Sequence, residues 1–251
     1  MNDKIRLLNI DIINISQSDL LKNLSEGILV TPNVDHLVKL QKDQGFYEIY
    51  KQADWVICDS KIVELGLKLL GTPIKEVIPG SSFFTEYYLY HKNDENVKIF
   101  LLGAAEGVAE KAMQRINDRI GRNIIVGAHS PSFGFEKNEE ECNNIISIIN
   151  GTNANVLLVG VGAPKQEKWV YRYKNQLPQI DLFMPLGATI DFEAGNVKRA
   201  PKIFRQLSLE WFYRMCVDPK RLVKRYLIDD LPFFYYIFKQ KIGTYKNPFD
   251  R

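Results

Sequence analysis

The sequence predicts an α/β fold: a mostly parallel sheet with helices on both faces, followed by a C-terminal helical appendage. Three observations lead there. Between residues 27 and 195, short β-branched apolar runs alternate with longer amphipathic ones. That alternation marks βαβ units, which pair their strands in parallel. The short runs are apolar throughout, as strands are when helices cover both faces of the sheet. After Gly195 the strand-like runs stop and two helical patterns follow.

In order, 28–31 reads as a strand and 34–53 as one helix, then 55–58 as a strand and 61–70 as a helix. A helix at 81–91 precedes a strand at 97–102. The helix at 106–120 carries Val108, Ala112 and Ile116 four residues apart, which puts them on one face. Strands follow at 123–126, 156–161 and 180–186, separated by helices at 139–149 and 165–175. Helices at 203–216 and 221–241 flank Asp218-Pro219. The expected organisation is an α/β core over 1–197 and a basic, aromatic-rich helical appendage over 198–251.

The chain has 251 residues, enough for one to two domains at about 150 residues each. Its 45% hydrophobic and 25% charged residues are those of a globular protein and exclude disordered, collagen-like and coiled-coil classes. Cys58, Cys142 and Cys216 lie far apart, so neither a disulfide scaffold nor a structural zinc site is expected, and reduced cytosolic thiols are. Asp3, Lys4, Arg6 and Asp11 interrupt any signal-peptide core. No stretch reaches the roughly 20 apolar residues of a membrane-crossing helix. The chain is expected to be soluble or attached to a membrane surface. Residues 198–251 hold 13 Lys and Arg against 5 Asp and Glu, and 12 of the 29 aromatics. Such a tail on a mildly acidic body suits an anionic partner: a membrane, a nucleic acid or a polyphosphate.

Ligands of open α/β sheets sit at the carboxyl ends of the strands. Four such ends carry polar residues. Thr31-Pro32-Asn33 follows the first strand, and Asn33 suits a helix N-cap as well as a ligand contact. Asp59 leaves the buried run Trp55–Cys58 as either a helix cap or a catalytic base. Gly160, Gly162 and Gln166 lie in the turn 159–167, whose backbone N–H groups suit an anion. That turn lacks the third glycine of a dinucleotide fingerprint. Asp191 and Glu193 lie in 187–195, either facing a ribose or base, or in a plain polar loop. No DxD pair and no P-loop motif occur, and His36, His91 and His129 show no metal spacing.

TPNVDH (31–36), the Asp59 strand end, LLG (69–71), GAPKQE (162–167), GATIDFEAG (187–195), RAP (199–201) and EWFYR…DPKRLVKRY (210–226) occur in that order. Together they resemble the WecG/TagA/CpsF family of bacterial glycosyltransferases, over roughly residues 5–238. The resemblance implies a Rossmann-like core and an inverting, metal-independent reaction without a cofactor. A sugar, N-acetylmannosamine or a related hexose, passes from a UDP-sugar to a polyprenyl-diphosphate-linked sugar in surface polysaccharide or teichoic acid synthesis. The family's proposed base matches Asp59. Its substrate-contacting Thr, Asn and Gln match Thr31, Asn33 and Gln166, and its appendage arginines match Arg214, Arg221 and either Arg225 or its neighbour Lys224. Ser60 follows Asp59 where many members carry glycine, a change at the local turn or the acceptor fit.

By the same resemblance the protein is cytoplasmic and peripheral on the inner face of the membrane, reaching an anionic surface through its appendage. It has no nucleic-acid partner, and a homo-oligomer is compatible. From residue types alone two alternatives stand beside this: a nicotinamide-dependent oxidoreductase, on the strand alternation and Gly160/Gly162, and a non-catalytic membrane- or nucleic-acid-binding protein, on the basic tail.

Overall fold

The computed structural model describes residues 3–197, 219, 224 and 228–250. An antiparallel hairpin of β1 (Lys4–Leu7) and β2 (Ile10–Ile13) opens the chain. Residues 28–31 were expected to start the fold, so the hairpin and helix α1 (Gln17–Asn23) are additions. The strands have four residues each, and their Leu8-Asn9 turn lacks the glycine that marks most such reversals.

The main sheet is six-stranded and parallel. Its strands are β3 (Gly27–Val30), β4 (Trp55–Val56), β5 (Ile99–Gly103), β6 (Ile125–His129), β7 (Val156–Gly160) and β8 (Leu182–Pro185), in the order β4-β3-β8-β7-β5-β6. Alternate side chains go to opposite faces. Phe100, Leu102, Leu157 and Val159 enter one core, while Ile99, Leu101, Val156 and Leu158 enter the other. Helices cover both faces, so the Rossmann-like α/β class is the observed one.

The helix expected over 34–53 is two. α2 (Val34–Lys39) stops, and α3 (Gln44–Gln52) restarts at Asp43, whose carboxylate accepts the Phe46 N–H at 3.0 Å. α4 (Lys61–Leu70), α5 (Gly80–Tyr90), α6 (Val108–Ile120), α7 (Glu139–Asn150) and α8 (Lys165–Tyr173) fall where sequence periodicity puts them, to within two residues at most of their ends. The 187–195 stretch forms the short helix α9 (Thr189–Ala194) instead of a plain loop.

The last described segment packs into the body. α10 (Pro232–Lys241) starts at Pro232, which therefore begins a helix instead of kinking one. It buries Phe233 and Ile237 in the first core. A Cβ at Gly66 of α4 would lie 3.0 Å from the Phe233 ring, so the two helices pack closely there. Gln240 accepts the Leu8 N–H at 2.8 Å, and the Tyr245 hydroxyl donates to Gln41 at 2.5 Å. The expected helix at 203–216, and 221–231 apart from Lys224 and residues 228–231, lie outside the described residues. A truncation after residue 197 would strip Phe233 and Ile237 from the core.

Truncating a buried Phe to Ala costs about 3–5 kcal/mol. Phe233→Ala should lower the denaturation midpoint by that order, whereas Phe234→Ala, one residue on and exposed, should leave it within about 0.5 kcal/mol. Urea titration of both variants checks the packing of α10.

Candidate active site

All six parallel strands end on one edge, and the chain leaves them in different directions. α2, after β3, buries Leu37 and Val38 in the first core. α9, after the neighbouring β8, buries Ile190 and Ala194 in the second. Adjacent strands whose chains part to opposite faces leave a crevice between their ends.

Three candidates stand at β3 and β4. Thr31 is buried, and a Cβ on Gly80 would come within 3.1 Å of its hydroxyl oxygen and 2.9 Å of Leu186. The start of α5 is thus pressed against the ends of β3 and β8. Asp59 accepts the Gly80 N–H at 2.7 Å through Oδ1. It therefore anchors the first turn of α5, while the next helix in the chain, α4, is capped by Ser60, which accepts the Ile62 N–H at 3.2 Å. Asn33 caps α2 by accepting the His36 N–H at 3.1 Å. The ring Nδ1 of His36 lies 2.7 Å from the Tyr50 hydroxyl in the buried layer behind.

At β7 and β8 the main chains nearly touch. A Cβ on Gly160 would sit 2.6 Å from the Gly187 carbonyl oxygen, so only glycine fits there. Gly162 faces open space at φ +86°, a left-handed conformation that favours glycine. Gln166 is buried, and every polar site on its side chain is used within the protein. Its Oε1 accepts the N–H groups of Gly162 and Gly187, both at 3.0 Å. Its Nε2 donates to Glu167 at 2.8 Å and to the Pro185 carbonyl at 2.9 Å. The Gly162 N–H, in the turn expected to meet an anion, is therefore occupied by Gln166.

The carboxylates of this edge differ in environment. Asp191 is half-buried, and burial raises its pKa above the usual range. Glu193 is buried as a packing anchor, accepting Thr85 at 2.5 Å and Tyr88 at 2.8 Å. Glu167 is 1% exposed, and among the described residues its Oε2 has no hydrogen-bond partner. Burial pushes its pKa up to about 7, against the opposing pull of the Gln166 bond and the Lys39 charge; Asp35 adds to the rise. Tyr50 is raised well above its usual value by burial and by the nearby Glu167, Asp59 and Asp35.

Sequence reasoning missed Glu167, because a first-turn glutamate usually reads as a surface partner of the helix dipole. It also missed Phe133, 99% exposed on the loop after β6. That loop is held by Ser132, which donates to Glu141 at 2.6 Å, and Lys165 lies 4.8 Å from the Phe133 ring centroid. Arg214, Arg221 and Arg225 lie outside the described residues. Among the described residues no group of three His, Cys, Asp or Glu side chains could hold a metal ion, and no helix is long and apolar enough to cross a membrane. A hollow of about 590 Å³ lies away from this edge, between the hairpin, the end of α4 and Gln240-Lys241. Its lining holds none of the candidates, so the chemistry is sought at the strand ends.

A parallel sheet with glycine turns and a hydrogen-bonded aspartate at its carboxyl edge is the frame of an α/β enzyme that binds its substrate across the strand ends. Residues 5–247 match the model of the glycosyl transferase WecG/TagA/CpsF family, and the chain belongs to that family. Similar relatives are the N-acetylglucosaminyldiphosphoundecaprenol N-acetyl-beta-D-mannosaminyltransferases of Staphylococcus aureus strains NCTC 8325 / PS 47 and COL. Each is 29% identical over 243 residues, covering 93% of this chain and 91% of the relative.

The Glu167 carboxyl has a sign that can be checked. An unfolded chain releases this proton near pH 4.5, whereas the folded protein holds it to about 7. Between those values the folded state is progressively disfavoured, and above 7 the loss is complete. Glu167→Gln removes the ionisation. Its melting temperature relative to wild type should rise from pH 5 to pH 8, and an equal difference at both pH values would contradict the assignment.

Proposed function

We propose that this protein is an inverting glycosyltransferase. It moves a sugar, N-acetylmannosamine or a related hexose, from a UDP-sugar to a sugar carried on a polyprenyl diphosphate at the inner face of the membrane. Family membership and the relatives' names support the reaction class. The observation that carries the mechanism is Asp59, held at the crevice by Gly80 beside Thr31. The nicotinamide and non-catalytic readings have no such observation behind them.

In this reading the Asp59 carboxylate takes the proton of the acceptor hydroxyl. The freed oxygen forms a bond to the anomeric carbon on the face opposite the nucleotide. The bond to the diphosphate oxygen breaks, and its electron pair leaves on UDP. No metal is invoked, so the departing charge calls for protein cations. Arg214, Arg221 and Arg225 are the candidates, with Lys39 and Lys165 at the rim of the same edge. Thr31 and Asn33 border the acceptor side, Gly160, Gly162 and Asp191 the nucleotide side. Phe133 offers a flat surface to the base; stacking of this kind is worth about 1–3 kcal/mol.

The acceptor lipid stays in its bilayer, so the enzyme must meet it there. α10 has the matching surface. Leu231, Phe234, Tyr235, Phe238 and Ile242 are all exposed and recur at helical spacing on the face opposite buried Phe233 and Ile237. Lys241 and Lys239 flank that face on either side. An apolar face edged with lysines suits a helix lying in an anionic membrane interface.

Two outcomes are expected. Asp59→Asn keeps an oxygen for the Gly80 N–H, so UDP affinity should stay near wild type while kcat falls about 10²–10⁴-fold. A kcat within a few-fold of wild type would make Asp59 a helix anchor only. The variant Phe234→Ser/Phe238→Ser should lose co-sedimentation with anionic vesicles at unchanged melting temperature. Undiminished vesicle binding would place the membrane contact elsewhere.

A further inference from the structure

We infer that Gln166 and Glu167 form a buried positioning pair that sets the spacing of the two turns bordering the crevice, and that neither side chain touches substrate. The inference rests on the proposed reaction only for its functional readout.

Gln166 bridges the turn after β7 and the turn after β8 through one oxygen, which holds the N–H groups of Gly162 and Gly187 at 3.0 Å each. That oxygen faces those donors only while Nε2 faces the opposite way. Two acceptors fix Nε2: the Pro185 carbonyl and the Glu167 carboxylate. Reversing the amide would set its NH₂ against two N–H groups and its oxygen against two oxygens. Glu167 therefore selects the amide orientation, and the amide in turn ties the turns together. At 2% and 1% exposure, neither side chain presents a surface to a ligand.

The groups around Glu167 are known from each packed element. α2 contributes Asp35, His36 and Lys39, whose ammonium pairs with Asp35 at 2.7 Å and reaches the Ala163 carbonyl at 3.5 Å. α3 contributes Tyr50, which senses both Glu167 and Asp59. α8 itself carries Lys165 and Lys168, which lie 3.8 Å from Glu136 and 2.5 Å from Asp43. Asp35 adds a second negative charge near Glu167, and Lys39 answers it.

This arrangement has a signature that a substrate-contacting glutamine would lack. Gln166→Glu places a second carboxyl against Glu167. Protonated, the new side chain still offers a carbonyl to the two N–H groups and an O–H to its other neighbours; ionised, it repels Glu167. Adding Glu167→Gln supplies an NH₂ donor and removes the repulsion. The test measures backbone amide exchange at Gly162 and Gly187, melting temperature, and UDP-sugar turnover at a temperature where every variant is fully folded.

Gln166→Ala should speed exchange at both glycines at least tenfold and lower turnover at least tenfold. Gln166→Glu should behave similarly at pH 8 and recover towards wild type by pH 6, whereas Q166E/E167Q should recover at pH 8. Wild-type exchange in Gln166→Ala with only a raised KM would make Gln166 a substrate contact and overturn the inference. So would a double variant no better than Q166E, or turnover unchanged in the fully folded variants. A wild type that transfers no sugar would overturn the reaction reading alone, and glycine exchange across the three variants would still decide the pair.

Discussion

The edge where chemistry is sought depends on one close approach of main chain. At Gly160 the ends of β7 and β8 run so near that a methyl group would meet the Gly187 carbonyl oxygen at 2.6 Å. Only at this spacing can one side chain, Gln166, reach N–H groups on both turns. From there the constraints spread outward. The β8 turn carries Leu186, which presses with Thr31 on Gly80, and Gly80 holds Asp59. The candidate base and the glycine-rich turn, at the ends of β4 and β7 with two strands between them, thus belong to one connected set of contacts.

Burial divides the carboxylates of this edge by task. Glu193 is fully engaged by Thr85 and Tyr88 and works as a packing anchor. Glu167 has one engaged oxygen and one without a partner among the described residues, and its proton is retained towards neutral pH by burial. Asp59, at the mouth, accepts the Gly80 N–H on its Oδ1, which orients it. A carboxylate oriented at a strand end is placed for proton abstraction. A buried carboxyl whose pKa is raised by burial suits a fixed hydrogen-bond pattern.

Much of this was legible in the sequence, and the rest was hidden for identifiable reasons. The strands could be read because β5 and β7 send alternate residues into two separate cores, which leaves each of them apolar throughout. The break between α2 and α3 falls in the polar run Gln41–Gly45, which can also be read as the polar residues of one longer helix; Asp43 caps the restart. Asp59 stood out as a carboxylate leaving a buried run, but its partner Gly80 is 21 residues away, a link that only the folded sheet makes. Gln166 was legible as a residue of interest and illegible in role, because nothing in its neighbours' identities tells which way its amide points. The return of α10 to the body was hidden by composition. Phe233 and Phe234 are the same residue type, yet one is buried and the other faces outward.

The central claim is that the nucleotide binds across the carboxyl edge of β3, β8 and β7. Hydrogen–deuterium exchange of the full chain with and without uridine diphosphate tests it most directly. The account predicts new protection in peptides spanning 160–167 and 187–191, and none in the hairpin and 70–73 that line the separate hollow. Protection confined to the hairpin and 70–73, with the strand-end turns unchanged, would contradict it.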